Sequence, residues 1–489
     1  MLFNSFEFFL FFPVVTIIYF LLAHKYRWMW LLAASCYFYM AFVPVYILIL
    51  GGTIVIDYFA GIWIQNASGQ RRKLFLVLSL VSNIGVLAFF KYFNFLNENL
   101  TFMLHGVGFQ NPVPYLGILL PIGLSFHTFQ AMSYTIEVYR GNQPVEKHFG
   151  IYALYVMFYP QLVAGPIERP QNMLHQFHEK HDFNYDQLKS GIGLIFWGLF
   201  KKMVIADRLG MFVDQVYENA HQYTGIPLII ATVFFAFQIY CDFSGYSDIA
   251  LGAARAMGFK LMLNFNYPFV SVTVGEYWRR WHISLSTWFN DYLFTPITVA
   301  KRDWGINAVY YGLFITFFIS GLWHGAAWTF VIWGCLHGIA LIYEIRFKKF
   351  RKKLSKAINP KIYLPGSRIL VFFFLCFAWI FFRANSVSDA FYIISHMFQN
   401  IGQQIGLIFT DVSFQKGMVY LSQGKADFIF SIFLVVLLEI IQIVLRKYNI
   451  MFWVYKQPKL LRYSIYYSLV LSIVFFGVFS KAKFIYFQF

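Results

Sequence analysis

The sequence predicts an all-α protein that crosses a membrane many times. Hydrophobic residues make up 59% of its 489 residues and charged residues only 12%, about half the charged share of a typical soluble domain. Apolar runs of about 20 residues, the length that spans a hydrocarbon core, recur along the chain. The runs are continuous rather than alternating, which favours helices over a transmembrane barrel. We expect roughly eleven to thirteen membrane helices, with re-entrant or interfacial helices among them, in one domain over residues 1–489.

In the first third of the chain, proline and charge divide the apolar runs. A first span at about residues 6–23 precedes a longer run that Pro44 is expected to split into two helices. A loop is expected from about Tyr92 to Pro114, followed by a span from Tyr115 to Val138. Lys and Arg occupy three other loops, at 24–27, 66–73 and 140–147. By the positive-inside rule these three loops lie in the cytoplasm and the N-terminus lies outside.

The formal charge of +17 raises the question of a nucleic-acid partner. The basic residues lie in short loops between apolar runs, a pattern typical of membrane proteins, so we expect lipid contacts and no nucleic acid. Seven Lys or Arg between Arg346 and Lys356 form the densest group, which is predicted as a cytoplasmic loop beside anionic lipid headgroups. The four cysteines lie in apolar segments and are predicted to be inert buried thiols: Cys36, Cys241, Cys335 and Cys376.

One histidine stands in a predicted helical hairpin over residues 306–343. His324 falls at or near the turn, while both ends of the hairpin adjoin basic loops that we place in the cytoplasm. His324 is therefore expected deep in the membrane or toward its outer face. An ionisable side chain at that depth is costly, so it indicates function. A desolvated imidazole stays neutral and can accept a proton from a hydroxyl group.

A second histidine, His282, follows the sequence Trp-Arg-Arg-Trp, and these tryptophans together with the ISLSTWF run after it suit a helix that dips inward from the interface. Ser284, Ser286 and Asn290 would give that helix a polar side. If the two imidazoles shared one cavity, one could act as a base while the other positions or polarises an acyl carbonyl. The spacing of the residues alone does not show that His282 and His324 meet.

Other polar residues in the apolar stretches have structural interpretations of equal or greater weight. His337 is more simply a hydrogen-bond partner between helices, and His127 allows the same interpretation. Three more histidines lie in a charged stretch that is predicted as a solvated loop rather than a metal site: His175, His178 and His181. A group of charges among small residues predicts close helix packing with internal ion pairs: Asp242, Asp248 and Arg255.

Motifs along nearly the whole chain resemble those of the membrane-bound O-acyltransferase family. In family order they are LPIGLSFHTFQAMSYTIEVYRG, YPQLVAGPIERP, FWGLFKKMVIADRLG, YCDFSGYSDIALGAARAMGF, NFNYPFVSVTVGEYWRRWHISLSTWFNDYL, SGLWHGAAWTFVIWGCLHG and the terminal FIYFQF. Within the family the chain looks like the bacterial branch of alginate O-acetylation membrane proteins. It is more distantly similar to the D-alanyl transfer protein of teichoic-acid modification. The resemblance implies a ring- or funnel-like arrangement of helices around a thinned centre, with a catalytic core at about residues 120–345.

The same resemblance implies roles for particular residues. His324, in the family's Trp-His-Gly motif, would be the principal catalytic residue and His282 the second one. The residues expected to contact substrate are Trp323, Trp281, Ser284, Asn290 and Asp242. The family's chemistry implies acetyl-CoA as the cytoplasmic donor, no bound cofactor or metal, and an extracytoplasmic acetyltransferase partner that modifies an exported polysaccharide. The expected location is the bacterial cytoplasmic membrane.

Two departures from the family pattern and two rival functions stay open. Asn290 stands where the alginate branch has an arginine, the double glycine after it is missing, and His127 replaces a tyrosine. Alginate is therefore not assumed to be the polymer. One rival function is D-alanyl transfer to a cell-wall polymer, and the other is an acyl-carrier transporter or flippase without chemistry. The sequence lacks the internal repeats that many transporters have.

Overall fold

The protein is almost entirely helical. The computed structural model describes residues 1–117, 120–445, 453–454, 456–479 and 484–485, and no strand occurs among them. The predicted all-α membrane architecture is therefore confirmed. The chain forms two compact units, one of residues 1–195 with 247–263 and the other of residues 196–246 with 264–489. The single domain over 1–489 and its core at about 120–345 stay predictions.

The first unit begins with helices joined by short connections. Its helices are α1 (Phe6–Leu21), α2 (His24–Met40), α3 (Ile47–Asn66), α4 (Gly69–Gly106), α5 (Leu124–Arg140), α6 (Phe149–Met157), α7 (Tyr159–Leu162), α8 (Pro170–His178) and the greater part of α9 (Tyr185–Leu199). A 3₁₀ turn at Pro44–Tyr46 separates α2 from α3, so the predicted break at Pro44 is confirmed.

Helix α4 is much longer than the sequence predicts. It has 38 residues, a length of about 57 Å, so the prediction of a loop that begins at Tyr92 is wrong. Polar residues within the predicted loop lie on the helix and bond the returning chain. The Asn94 side chain donates to the Leu116 carbonyl at 2.8 Å and accepts from the Leu116 N–H at 2.9 Å. The next helix begins at Leu124, later than predicted, and residues 118–119 of that predicted span lie outside the described residues.

The second unit contains both of the predicted catalytic histidines. Its helices are α10 (Asp207–Glu218), α11 (Ile226–Ala256), α12 (Val274–Trp278), α13 (Ile283–Phe289), α14 (Thr295–Ala300), α15 (Ile306–His324), α16 (Trp328–Arg346), α17 (Lys348–Ala357), α18 (Pro360–Arg383), α19 (Val387–His396), α20 (Ile401–Thr410), α21 (Val412–Phe414), α22 (Gly424–Leu445) and α23 (Lys459–Phe476). A π-helical turn at Phe200–Ala206 joins α9 to α10. Helices α9 and α11 each contribute residues to both units.

Eight of the described helices are long and apolar enough to cross a membrane. They are Pro44–Asn66, Gly69–Gly106, Ile226–Ala256, Ile306–His324, Trp328–Arg346, Pro360–Arg383, Gly424–Val444 and Lys459–Phe476. Three further predicted spans form helices of 16 or 17 residues, namely α1, α2 and α5. The predicted range of eleven to thirteen spans included these shorter helices.

Helices α15 and α16 pack as the predicted hairpin. Helix α15 ends at His324 and a turn at 325–327 follows, so the predicted position of this histidine at the turn of the hairpin is confirmed. Glycines on the facing sides allow the two backbones to approach closely. A Cβ atom added to Gly334 would overlap the Phe317 carbonyl oxygen, and one added to Gly321 would overlap the carbonyl oxygen of Phe330.

Replacing Gly334 with alanine is expected to destabilise the hairpin, because the new methyl group must displace the Phe317 carbonyl. Overpacking of this kind costs about 1–3 kcal/mol. The measurement is the midpoint of thermal unfolding of the purified protein in detergent, which should fall. Gly406→Ala is the matched control, since nothing lies within 4 Å of a Cβ added to that helical glycine. An unchanged midpoint for Gly334→Ala would contradict the close crossing.

Candidate active site

His282 lies at a break between two short helices. The predicted inward-dipping helix is divided into Val274–Trp278 and Ile283–Phe289, with the histidine directly before the second. Its backbone is left-handed, with φ 43° and ψ 54°, and its side chain is fully buried. A non-glycine residue in this conformation costs about 1–3 kcal/mol and is typical of a functional site.

Asn264 fixes the tautomer of His282. Its side-chain Oδ1 accepts the backbone N–H of Ser284 at 3.3 Å, so this atom is the amide oxygen and not the nitrogen. The same oxygen lies 3.0 Å from Nδ1 of His282. This nitrogen must therefore carry the ring proton and donate a hydrogen bond to the oxygen. In the neutral ring the lone pair is then on Nε2.

Asn264 was missed at the sequence level. It lies in the stretch NFNYPF, 18 residues before His282, and no single helix joins the two positions. Two asparagines in an otherwise apolar stretch were the only signal available.

His324 lies at the C-terminal end of α15 and is 4% exposed. Aromatic rings surround it, with centroids 4.9 Å away for Trp323 and for Trp333 and 5.4 Å away for Phe382. The Trp323 ring also lies 6.2 Å from the His282 ring. The structure therefore brings both predicted catalytic histidines into one cluster around Trp323.

Trp281 and Ser284, which flank His282 in the chain, each make contacts that fix the local backbone. Trp281 is 1% exposed and stacks on Tyr277 at a centroid distance of 5.5 Å. The Ser284 hydroxyl donates to the Asn264 side chain at 2.9 Å. A direct contact of Trp281 or Ser284 with substrate stays a prediction.

His337 is a hydrogen-bond partner between helices, as predicted. The indole N–H of Trp278 on α12 donates to Nδ1 of His337 on α16 at 3.2 Å. The His337 ring also lies 4.9 Å from the Trp333 ring, which contacts His324. One nitrogen of His337 is thus engaged in joining α12 to the hairpin.

A cavity of about 520 Å³ adjoins the residues next to the two histidines. Its lining is mainly apolar and includes Trp278, Arg279, Ile283, Ser286, Asn290 and Ser320. Ile283 directly follows His282, and Ser320 lies one helical turn before His324. Asn290 is exposed here, with its amide donating to Asp291 at 3.1 Å. Asn290, the residue that departs from the family pattern, therefore lines the cavity that adjoins the neighbours of the two histidines.

Asp242 lies in a buried charge network. Lys202 Nζ is 2.6 Å from Asp242 and 2.7 Å from Asp207, so the predicted internal pairing of Asp242 is confirmed. The Ile485 N–H donates to Asp242 at 2.7 Å. Of the FIYFQF motif, only residues 484–485 are described. Phe243, the next residue, lies 4.7 Å from the His282 ring, while a substrate contact for Asp242 stays a prediction.

The other histidines considered in the sequence have partners of their own. His127 belongs to the first unit, where its Nε2 is 2.6 Å from the Thr53 hydroxyl. His175 and His178 lie on helix α8 instead of the predicted loop, because Pro170 suits the first turn of a helix. His178 pairs there with Glu146 at 2.8 Å. Within the described part of the chain, no group of His, Cys, Asp or Glu is arranged to hold a metal ion.

The fold and the cluster define a class of protein: a multi-pass helical membrane protein with two buried imidazoles in an aromatic enclosure, an arrangement suited to acyl transfer. Residues 140–388 match MBOAT, the membrane-bound O-acyltransferase family. The chain belongs to this family and is an O-acyltransferase.

Individual relatives agree with the family. The chain is 38% identical to a probable alginate O-acetylase of Pseudomonas aeruginosa over 402 residues, which are 81% of this chain and 75% of that protein. It is 32% identical to a peptidoglycan O-acetyltransferase of Helicobacter pylori over 396 residues, 76% of this chain and 73% of that protein. It is 27% identical to a teichoic acid D-alanyltransferase of Bacillus subtilis over 281 residues, 54% of this chain and 69% of that protein.

Replacing Asn264 with leucine is expected to lower acyl transfer at least about tenfold. Leucine cannot accept the hydrogen bond from Nδ1–H of His282, and general acid–base catalysis depends on the correct tautomer. Turnover of labelled acyl donor and the thermal midpoint are measured on the same sample. Ser284→Ala should lose less activity, since the Ser284 backbone N–H still bonds Asn264. Wild-type turnover by a folded Asn264→Leu variant would contradict the positioning role.

Proposed function

We propose that this protein transfers an acetyl group from cytoplasmic acetyl-CoA across the bacterial cytoplasmic membrane, for O-acetylation of an exported polysaccharide. An extracytoplasmic acetyltransferase partner passes the group on to the polymer. The observation that carries the proposal is the buried pair of His282 and His324 around Trp323 in a chain of the O-acyltransferase family.

In the proposed reaction, a hydroxyl oxygen attacks the thioester carbonyl of the donor. His324 takes the hydroxyl proton, the carbon–oxygen ester bond forms and the carbon–sulfur bond breaks. The leaving thiolate then takes the proton from His324 and departs as the thiol. The aromatic rings packed around His324 would limit the access of water to the site and so limit hydrolysis of the thioester.

The tautomer of His282 supports a role in orienting substrate. Because Nδ1 donates to Asn264, Nε2 accepts a hydrogen bond while the ring is neutral. It can therefore hold an N–H or O–H group. Donation to an oxyanion would require a charged ring, which full burial opposes. Of the two roles considered for His282, orientation of the donor is favoured over stabilisation of the oxyanion.

The position of His324 supports transfer across the membrane. Helix α15 has 19 residues, about 28 Å, which is close to the thickness of a hydrocarbon core. Both open ends of the hairpin adjoin basic loops expected in the cytoplasm, so His324 would lie toward the outer side. The apolar cavity of about 520 Å³ beside the cluster suits the acyl arm of a donor, and Arg279 in its lining suits a phosphate.

The relatives support acetyl as the transferred group. Two of them are named as enzymes that O-acetylate, one of alginate and one of peptidoglycan. Because their polymers differ, the acetyl group is the shared feature and the polymer of this protein is not fixed by them. The D-alanyltransferase is similar over a smaller part of the chain.

His324→Ala is expected to abolish acetylation of the exported polymer, with a loss of at least about a hundredfold, while the protein still inserts into the membrane. The measurement is acetate released from the polymer by mild alkali, beside an immunoblot of the membrane fraction. His127→Gln is the matched control, since it removes a buried imidazole of the first unit and can keep the bond to Thr53. Full acetylation by the His324→Ala strain would refute the catalytic assignment.

Acetyl-CoA with a labelled acetyl group separates the proposal from its rivals. The purified protein in detergent is expected to transfer label to a hydroxyl acceptor or to the partner protein. Binding without turnover would indicate a carrier, and transfer of D-alanine alone from a carrier protein would indicate the cell-wall alternative. Two buried carboxylates that a carrier could use have fixed partners, since Asp57 accepts from Ser79 at 2.6 Å and Asp242 pairs with Lys202.

A further inference from the structure

Helix α17 has two faces of opposite character. At 3.6 residues per turn its lysines fall on one arc, whereas Phe350, Leu354 and the flanking Ile358 fall on the other. The lysines are all exposed: Lys348, Lys349, Lys352, Lys353 and Lys356. No Asp or Glu occurs in the sequence between Ile345 and Ser388. The lysine face is therefore a concentrated positive surface, and the acidic residue that precedes it in the chain, Glu344, pairs with Arg351.

The apolar face of α17 borders an open groove of about 520 Å³. The opposite wall comes from α18 and includes Ile362, Gly366 and Leu370, while α16 contributes Tyr343. Exposure of Phe350 at 61% and of Leu370 at 70% shows that this apolar surface is not covered by the described protein. The volume is in the range of pockets that hold a small ligand.

We propose that this groove binds an anionic phospholipid of the cytoplasmic leaflet, with an acyl chain in the groove and the phosphate on the lysine face of α17. Charge complementarity selects this occupant. A free phosphate would not need the apolar walls, and a neutral lipid would not need the lysines. Helices α16 and α18 are both candidate spans, so α17 lies where a chain leaves and re-enters the bilayer. Amphipathic helices with a lysine face bind anionic membranes at such places.

The groove is connected to the active-site unit through Arg351. This residue lines the groove, and its guanidinium lies 3.3 Å from the Glu344 carboxylate. The same carboxylate accepts the backbone N–H groups of Val274 and Gly275, at 2.7 and 3.0 Å. The lipid site therefore adjoins the start of α12. The inference is independent of which acyl group the enzyme transfers.

The test is native mass spectrometry of the purified full-length protein titrated with phosphatidylglycerol or with phosphatidylcholine of the same acyl chains. The wild-type protein should retain phosphatidylglycerol more tightly. The variant K349Q/K352Q/K356Q should lower its affinity for phosphatidylglycerol by about tenfold to a hundredfold, with little effect on phosphatidylcholine. Gly366→Leu should lower retention of both lipids. No atom lies within 4 Å of a Cβ added at Gly366, so the leucine side chain would fit there without a clash and would occupy the groove.

Two controls keep the result interpretable. K25Q/K73Q/K416Q removes the same charge from three exposed lysines outside α17 and should keep the affinity. Gly406→Leu adds the same side chain to another helical glycine with open space around it. Equal loss in the two lysine triples, or unchanged retention in Gly366→Leu, would overturn the proposal. Displacement of phosphatidylglycerol by acetyl-CoA would also overturn it, since the groove would then belong to the acyl donor.

Discussion

A backbone amide inside a membrane must find its hydrogen bond within the protein, because no water is present to replace it. Continuous helices satisfy this constraint by themselves. The stretch 264–283 does not, because its turns and short helices leave N–H groups without an intrahelical acceptor. Side chains supply the missing acceptors. Glu344 accepts from the first two residues of α12, and Asn264 accepts from Ser284 near the start of α13.

The active site depends on the same acceptors. The Asn264 oxygen that accepts the Ser284 backbone N–H also accepts a hydrogen bond from Nδ1–H of His282, so one atom completes the backbone bonding and selects the tautomer. The left-handed backbone of His282 is maintained by these bonds on one side and by the stacking of Trp281 on Tyr277 on the other. The cost of leaving the helix is thus offset by contacts that also orient the imidazole.

Local patterns in the sequence were enough for the features that depend on local physics. The apolar lengths predicted an all-α membrane protein, Pro44 marked a helix break, and the basic loops around 306–343 placed His324 at a hairpin turn. The errors arose where a polar residue has a distant partner. A loop was predicted from Tyr92, but Asn94 in that stretch bonds Leu116 from within a helix, 22 residues away in sequence. No pattern of nearby residues records such a bond.

Sequence patterns were also insufficient for the histidines, because residue chemistry alone did not separate the catalytic candidates from those with structural roles. The family resemblance singled out His324 and His282, and the structure adds the physical difference. Nδ1 of His337 is engaged by the Trp278 indole, and the ring of His127 is held by Thr53 in the first unit. In His282, Nδ1 keeps its proton and donates a hydrogen bond to Asn264, so Nε2 is the basic nitrogen of the neutral ring. A buried histidine is therefore better judged by which nitrogen the protein occupies than by burial, since burial is common to all of these residues.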